Sequence, residues 1–334
     1  MWELYVIIDV RNAQGCGEAA APGFTEAGEG GYEMSEEKRR GKLYLVSDVH
    51  SFFGAMKKAL EEAGFFEDET GTLVILGDAL DRGPTTLEMI NFLLKLLEED
   101  RLIYIRGNHE DILYDMMRSF SNLSYGMKMD DFNSNRTTNT AICIVNMYYD
   151  EEAKCHKHYT ESDWQYMDYY KIKSQPYITA DLLRSSAYFK KLFPSLNYYE
   201  TEHYVFCHGW VPTDVVHENN RDKSVYNPNW RSEDMDWRRA RWLNGMEACV
   251  MDGAAIPGKT VICGHFHTGW GHENLQGNSP NLTEPFIDYG IIAIDAGVFH
   301  GDTDETKKVN CIVIDEEERA IFEGKVIHDP RGSV

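Results

Sequence analysis

Short apolar runs that stop abruptly at clusters of polar residues set the rhythm of this chain. Leu43 to Val46 leads into Ser47-Asp48-Val49-His50-Ser51, Leu73 to Leu76 into Gly77-Asp78-Ala79-Leu80-Asp81-Arg82-Gly83, and Leu102 to Ile105 into Arg106-Gly107-Asn108-His109-Glu110. Later, Tyr204 to Phe206 leads into Cys207-His208-Gly209, and Val261-Ile262 into Cys263-Gly264-His265-Phe266-His267. Each run predicts a β-strand. Between the first two, Phe53, Met56, Leu60 and Ala63 recur at helical spacing, as do Leu87, Ile90, Leu93, Leu94 and Leu97 between the second and third. These stripes predict helix faces packed on a sheet. Asp48, Asp78 and Asn108 follow one another at intervals of 30 residues, about the length of a β-α-β unit. In open α/β sheets ligands gather outside the carboxyl ends of the strands, so side chains far apart in sequence can converge there. Asp, His and Asn gathered at one rim make a metal site.

After Glu110 the pattern loosens. A region from about residue 115 to 202, rich in Tyr, Met, Asn and Lys, is predicted to insert between ligand-bearing strands as a helical cap over the site. Its aromatics include Tyr148, Tyr149, Tyr159, Trp164, Tyr166, Tyr169 and Tyr170. Residues 1–40 read as a weakly ordered extension, rich in Gly, Ala and Glu and then charged at Glu36-Glu37-Lys38-Arg39-Arg40. The working domain is expected over residues 41–328, and Met34 is a natural alternative start.

Composition narrows the function. The 334 residues are 43% hydrophobic, enough for a sizeable core, and 33 basic against 55 acidic residues give a net charge of -22. Such a chain repels a polyphosphate backbone unless positive charge is concentrated locally, so long nucleic acid is excluded as a first substrate class. The seven cysteines are scattered, with no C-x-x-C pair, which suits reduced thiols in the cytoplasm. Cys207 and Cys263 read as small buried residues. No segment has the apolar length of a transmembrane helix, and Trp2 to Val10 contains Glu3 and Asp9, unlike a signal peptide. A soluble cytoplasmic protein without a membrane partner is expected.

The polar signatures, in this order and spacing, resemble those of metallophosphoesterases of the calcineurin-like superfamily. Gly77-Asp78-x-x-Asp81-Arg82-Gly83 and Gly107-Asn108-His109-Glu110 are most similar to the branch of serine/threonine protein phosphatases and symmetrical dinucleoside tetraphosphatases. One departure stands out: the branch usually opens with Gly-Asp-x-His-Gly, whereas this chain has Ser47 and Ser51 in the glycine positions. The metal-binding pair is kept, so the change bears on local backbone geometry and substrate approach.

The resemblance implies two mixed β-sheets packed face to face and flanked by helices, with C-terminal strands expected at Ile291 to Asp295, Asn310 to Ile314 and Ala320 to Phe322. It implies two divalent metal ions bridged by Asp78, one completed by Asp48 and His50 and the other by Asn108, His208 and His265. A mixed oxygen and nitrogen set suits Mn, Fe or Zn better than Mg or Ca alone. His267 is a seventh candidate, because many metallophosphoesterases use the second His of Gly-His-x-His, whereas phosphoprotein phosphatases usually carry only the first. By the same resemblance His109 acts on the leaving-group oxygen as general acid, oriented by Asp81. Arg82 and Arg106 have the planar fork that matches phosphoryl oxygens, although Arg106 could instead pair with an acidic neighbour. The basic, aromatic cluster Trp237-Arg238-Arg239-Ala240-Arg241-Trp242 reads equally as a phosphate contact or as a helix with a solvated basic face.

The expected activity is hydrolysis of a phosphomonoester by a hydroxide bridging the two ions, in one in-line step. Phosphoserine or phosphothreonine protein is the first substrate class and a dinucleoside polyphosphate or other small nucleotide the second. A metal-binding scaffold without catalysis is the third reading, which the Asp81-His109 pair and Arg82 oppose. Oligomeric state is not legible.

Overall fold

A computed structural model describes residues 41–121, 129–151, 169–218, 220–277, 282–298 and 307–331. The extension 1–40, Tyr159, Trp164 and Tyr166 lie outside these, as do the side chains of Tyr148, Tyr149 and Tyr169. Three parallel neighbours, β1 (Leu43–Val46), β2 (Thr72–Leu76) and β3 (Leu102–Ile105), are joined by helices α1 (Phe53–Glu62) and α2 (Thr86–Glu98). The chain then enters α3 (Asn108–Ser121), α4 (Met129–Ser134) and α5 (Thr137–Glu151), two further helices at Tyr169–Ser174 and Pro176–Ser185, and a π-helical turn at Tyr188–Leu192.

The second sheet follows. It contains β4 (Tyr199–Glu200), β5 (Tyr204–Phe206), β8 (Thr260–Cys263), β9 (Phe286–Asp288) and β10 (Ile291–Ala293) in the order β4-β5-β8-β10-β9. A separate hairpin, β6 (Thr213–Glu218) and β7 (Arg221–Tyr226), leaves it between β5 and β8. The chain returns through β11 (Ile312–Ile314), β12 (Ala320–Phe322) and β13 (Lys325–His328), which complete the first sheet in the order β13-β12-β11-β1-β2-β3. Both sheets mix parallel and antiparallel pairs.

Alternate residues of each strand face opposite ways, and the strand cores are apolar on both faces for that reason. Leu45, Val74, Leu76, Ile103 and Ile105 meet Tyr204, Phe206, Ile262 and Ile292 between the sheets. Their neighbours Tyr44, Val46, Leu73, Ile75 and Tyr104 face the helices. Val205, Val261, Cys263, Ile291 and Ala293 face a layer containing Trp210, Trp230 and Trp237. The result is two sheets face to face with helical layers outside.

Some boundaries differ from the sequence expectation. In α2 the buried positions are Thr86, Met89, Ile90, Leu93 and Leu96, while Leu87 and Leu97, in the first and last turns, stay exposed. β10 stops at Ala293, which releases Asp295 into a loop at the rim of the site. β11 begins only at Ile312; ahead of it the Asn310 side-chain amide donates to the carbonyls of Thr283 and Ile294. The helices of the 108–192 region share the core on the outer face of the first sheet, where Leu113, Met116, Phe132, Ala141, Ile144 and Leu183 pack in one cluster with Val46 and Ile75.

Candidate metal centre

The loops that follow β1, β2, β3, β5 and β8 meet at one end of the sandwich. Their backbone is unusual: Asp48, His50, Ser51, Asp78, Asp81, Arg82 and His265 all have φ between 46° and 71°. Asp, Asn and His tolerate this left-handed conformation better than most residues, and such clusters mark sites where the surroundings over-determine the backbone. The surroundings here are hydrogen bonds between loops. The amides of His50 and Ser51 donate to the carbonyls of Asp78 and Ala79, and Gly83 N–H donates to the His50 carbonyl.

Ser51 resolves the departure at the first motif. It adopts the left-handed turn, its carbonyl accepts from the Thr85 hydroxyl at 2.5 Å, and its Oγ accepts from the Thr86 hydroxyl at 3.0 Å. Ser47 places its hydroxyl against the Asp48 carboxylate. True glycines remain where backbone must touch the acids. A Cβ at Gly107 would lie 2.2 Å from Asp78 Oδ1, and one at Gly264 would lie 2.2 Å from Asp48 Oδ2.

The carboxylate of Asp78 is central. Its Oδ1 is 3.4 Å from His208 Nε2 and accepts from the His109 backbone N–H at 2.9 Å, while its Oδ2 is 3.9 Å from His50 Nε2 and 3.8 Å from His109 Nε2. Among the described residues two groups of donor atoms therefore share Asp78: one with Asp48, His208 and His265, the other with His50 and His109. Asn108 joins the first through its Oδ1, 2.8 Å from His208 Nε2. His267 stands outside both groups, its Nδ1 2.9 Å from Asp295 Oδ2.

Burial and tautomer suit these residues to divalent cations. Burial, reinforced by Asp48 and Glu110 and opposed by His109, pushes the Asp78 carboxyl well above the ordinary range. Burial and the charge of Asp295 likewise raise Asp48. Burial holds His50 well below the usual imidazole value, helped by His109 and Arg82, and with His208 it pushes His265 down to about 3. The site thus offers neutral imidazoles beside carboxylates whose charge is costly without a cation. His50 Nδ1 faces the Leu80 carbonyl at 3.1 Å and His208 Nδ1 the Leu76 carbonyl at 2.7 Å. A carbonyl only accepts, so both rings carry Nδ1–H and turn Nε2 inward, the orientation usual for metal-ligating histidines.

His109 is held differently. Its Nδ1 meets Asp81 Oδ2 at 2.7 Å, and its Nε2 lies 3.1 Å from Arg82 Nη2. Burial disfavours its charge, but Asp78 and Asp81 outweigh that and raise its pKa. A guanidinium within hydrogen-bond distance of Nε2 distinguishes this ring.

Other candidates have neighbours of their own. Arg106 is half-buried, donates to the Phe193 carbonyl at 3.0 Å and stacks over the Phe193 ring, which anchors the loop before β4. In the basic cluster, Arg241 grips Asp111 of α3 at 2.7 and 3.2 Å and Arg238 pairs with Asp115, so two of its three arginines join α3 to this layer. Cys207 and Cys263 are buried thiols of the second sheet, their pKa raised by burial.

Sequence reasoning left the role of Glu110 unread. Its buried carboxylate accepts from the backbone N–H of Gly107 (2.7 Å), Asp78 (3.0 Å) and Ala79 (3.2 Å) and from the Tyr104 hydroxyl (2.8 Å), stapling the β2 and β3 loops together. The acid directly following Asn108-His109 was the available signal.

The pattern that defines calcineurin-like phosphoesterases matches residues 41–294. The chain is 33% identical over 101 residues to serine/threonine-protein phosphatase 1 of Salmonella typhimurium, covering 30% of this chain and 44% of that protein. It is 37% identical over 68 residues to a symmetrical bis(5'-nucleosyl)-tetraphosphatase of Buchnera aphidicola, covering 20% of this chain and 24% of that protein. The matched stretches thus span less than half the length of either relative. Among solved structures, a metallophosphoesterase from Sphaerobacter thermophilus is similar at 14% identity with a TM-score of 0.40, over 83% of this chain and 84% of that one. The family pattern takes in every strand-end signature described above, and the chain belongs to the calcineurin-like phosphoesterases.

Proposed function

We propose that this protein is a metal-dependent phosphatase that hydrolyses phosphoserine or phosphothreonine esters. The observation that carries the reading is the Asp78 carboxylate, shared between two donor groups and flanked by the Asp81-His109 pair and Arg82. By the resemblance Asp78, Asp48 and His50 would hold one cation and Asp78, Asn108, His208 and His265 the second, although the donor atoms of Asp48 group with those of His208 and His265. His267, with Asp295 behind its Nδ1, is a further ligand candidate on the Asp48 side. Mn, Fe or Zn suits this donor set. Such a pair of ions, when bound, acidifies water and neutralises the phosphoryl charge.

The chain's own residues supply the rest. Arg82 presents a planar fork for two phosphoryl oxygens, and in doing so leaves the His109 ring. His109 can then hold a proton at Nε2 and deliver it to the leaving oxygen, while Asp81 keeps the ring oriented through Nδ1–H. The balance is simple. The bond between phosphorus and the leaving oxygen breaks, one from water forms in line, and the proton from His109 completes the alcohol. Arg106, whose Nη2 donates to the Phe193 carbonyl, is the second candidate fork for phosphoryl oxygens.

A second reading, a small nucleotide or dinucleoside polyphosphate, draws on Trp242. Its indole is half-exposed and lies edge-on to His265 at 5.7 Å between ring centroids, a face on which a base could stack. A panel of phosphopeptides and dinucleoside polyphosphates assayed with added Mn separates the two. Faster turnover of phosphopeptides supports the first reading, faster turnover of nucleotides the second, and hydrolysis of neither overturns both.

A further inference from the structure

Helix α5 reaches into the catalytic dyad. Asp81 is buried, and its carboxylate accepts three hydrogen bonds: Oδ2 from Thr137 Oγ1 at 2.6 Å and His109 Nδ1 at 2.7 Å, and Oδ1 from Thr140 Oγ1 at 2.6 Å. Thr137 opens α5, and Thr140 follows one turn later on the same face. Both threonines are buried. Threonine hydroxyls in a helix commonly bond back to their own backbone, yet both of these point across to one carboxylate from another part of the chain. Arg136, just before the helix, donates from Nη1 to the Arg82 carbonyl at 2.8 Å. Three contacts thus grip the left-handed Asp81-Arg82 turn, where φ is 71° and 59°.

We propose that Thr137 and Thr140 are positioning residues for phosphoester cleavage: by fixing the plane of the Asp81 carboxylate they aim His109 at the leaving oxygen. This rests on the reading of His109 as the general acid. A carboxylate is free to turn about its Cβ–Cγ bond unless both oxygens are engaged. His109 engages only Oδ2, so without the hydroxyls one hydrogen bond would have to fix the acid and the ring together. With them, Oδ1 is pinned by Thr140, Oδ2 by Thr137, and the remaining lone pair of Oδ2 lies where the ring must be. The insertion between β3 and β4 is then part of the proton-delivery apparatus, and not only a layer over the first sheet.

The test compares Thr137→Val, Thr140→Val and the double variant with Thr137→Ser and Thr140→Ser, each loaded with Mn. Val keeps the shape and loses the hydroxyl, whereas Ser keeps the hydroxyl. Two esters are assayed, a phosphoserine peptide, whose alkoxide leaves only with a proton, and 4-nitrophenyl phosphate, whose phenolate needs none. The double Val variant should lose about 10- to 100-fold in kcat on the phosphopeptide, within the range that acid catalysis contributes, and less than about threefold on the aryl ester. Metal content should match wild type, and the Ser variants should retain near-full activity. If the double variant does not fold, the single variants should show the same ester-selective loss to a smaller degree. Equal losses on both esters, no loss on either, or failure of Ser to preserve the rate would overturn the proposal. His109→Asn is the control. If it shows the ester-selective loss and the threonine variants do not, the positioning role is wrong and the acid reading stands. If it loses both esters equally, the acid reading fails and the positioning role with it.

Discussion

Replacing Glu110 with Ala should destabilise the fold by about 3–6 kcal/mol, because three buried backbone N–H groups lose a shared charged acceptor at once. The donors are Gly107, Asp78 and Ala79, at 2.7, 3.0 and 3.2 Å. Each orphaned buried donor costs about 1–3 kcal/mol. The Tyr104 hydroxyl can rotate to another partner, and relaxation recovers part of the rest, so the lower half of the sum is expected. Glu110→Gln should cost less, about 1–3 kcal/mol, because its carbonyl oxygen can still serve Gly107 and Asp78 and only Ala79 is left facing an amide nitrogen. Urea unfolding of the metal-free protein measures both, since metal binding would otherwise add to apparent stability. Turnover should fall as well, because the Asp78 amide is one of the anchored groups. An Ala variant within about 1 kcal/mol of wild type, or a Gln variant as damaging as Ala, would refute the stapling role.

Other outcomes follow from the same geometry. Asp78→Asn should nearly abolish turnover and weaken binding of both ions, which metal analysis after gel filtration would record; near-normal turnover with full metal content would contradict it. Arg241→Ala should cost about 3–5 kcal/mol in urea unfolding by leaving Asp111 buried without its partner, and Arg238→Ala about 1 kcal/mol or less, because that side chain is half-exposed. The reverse ranking would show that the basic cluster is not chiefly a clamp on α3. Mn should raise the melting temperature of the wild type in proportion to the logarithm of its concentration. It should do so far less for Asp78→Asn.

The strands that carry the site are legible in the sequence because both their faces are buried, so each is an unbroken apolar run ending at a polar turn. β1 and β3 follow that pattern to the residue. The hairpin β6–β7 escapes notice for the opposite reason: each strand has a single buried residue, Thr213 and Ser224, and no apolar run announces it. Within the site, residue types at strand ends identify the metal candidates, since the chemistry is local to each motif. The partners that hold them are not local. Thr137 and Thr140 sit in a polar stretch more than 50 residues from Asp81, and nothing near them in sequence marks their role. Arg238 and Arg241 look available for phosphate until the fold brings Asp115 and Asp111 beside them.

Phosphoester hydrolysis by this protein should depend on cations shared through Asp78. The most direct measurement is to strip the protein with chelator, titrate Mn back, and follow phosphopeptide hydrolysis against bound metal per chain. No turnover is expected in the stripped protein, with recovery complete only near two ions per chain. Hydrolysis that persists after exhaustive stripping, or full activity with a single ion bound, would contradict it.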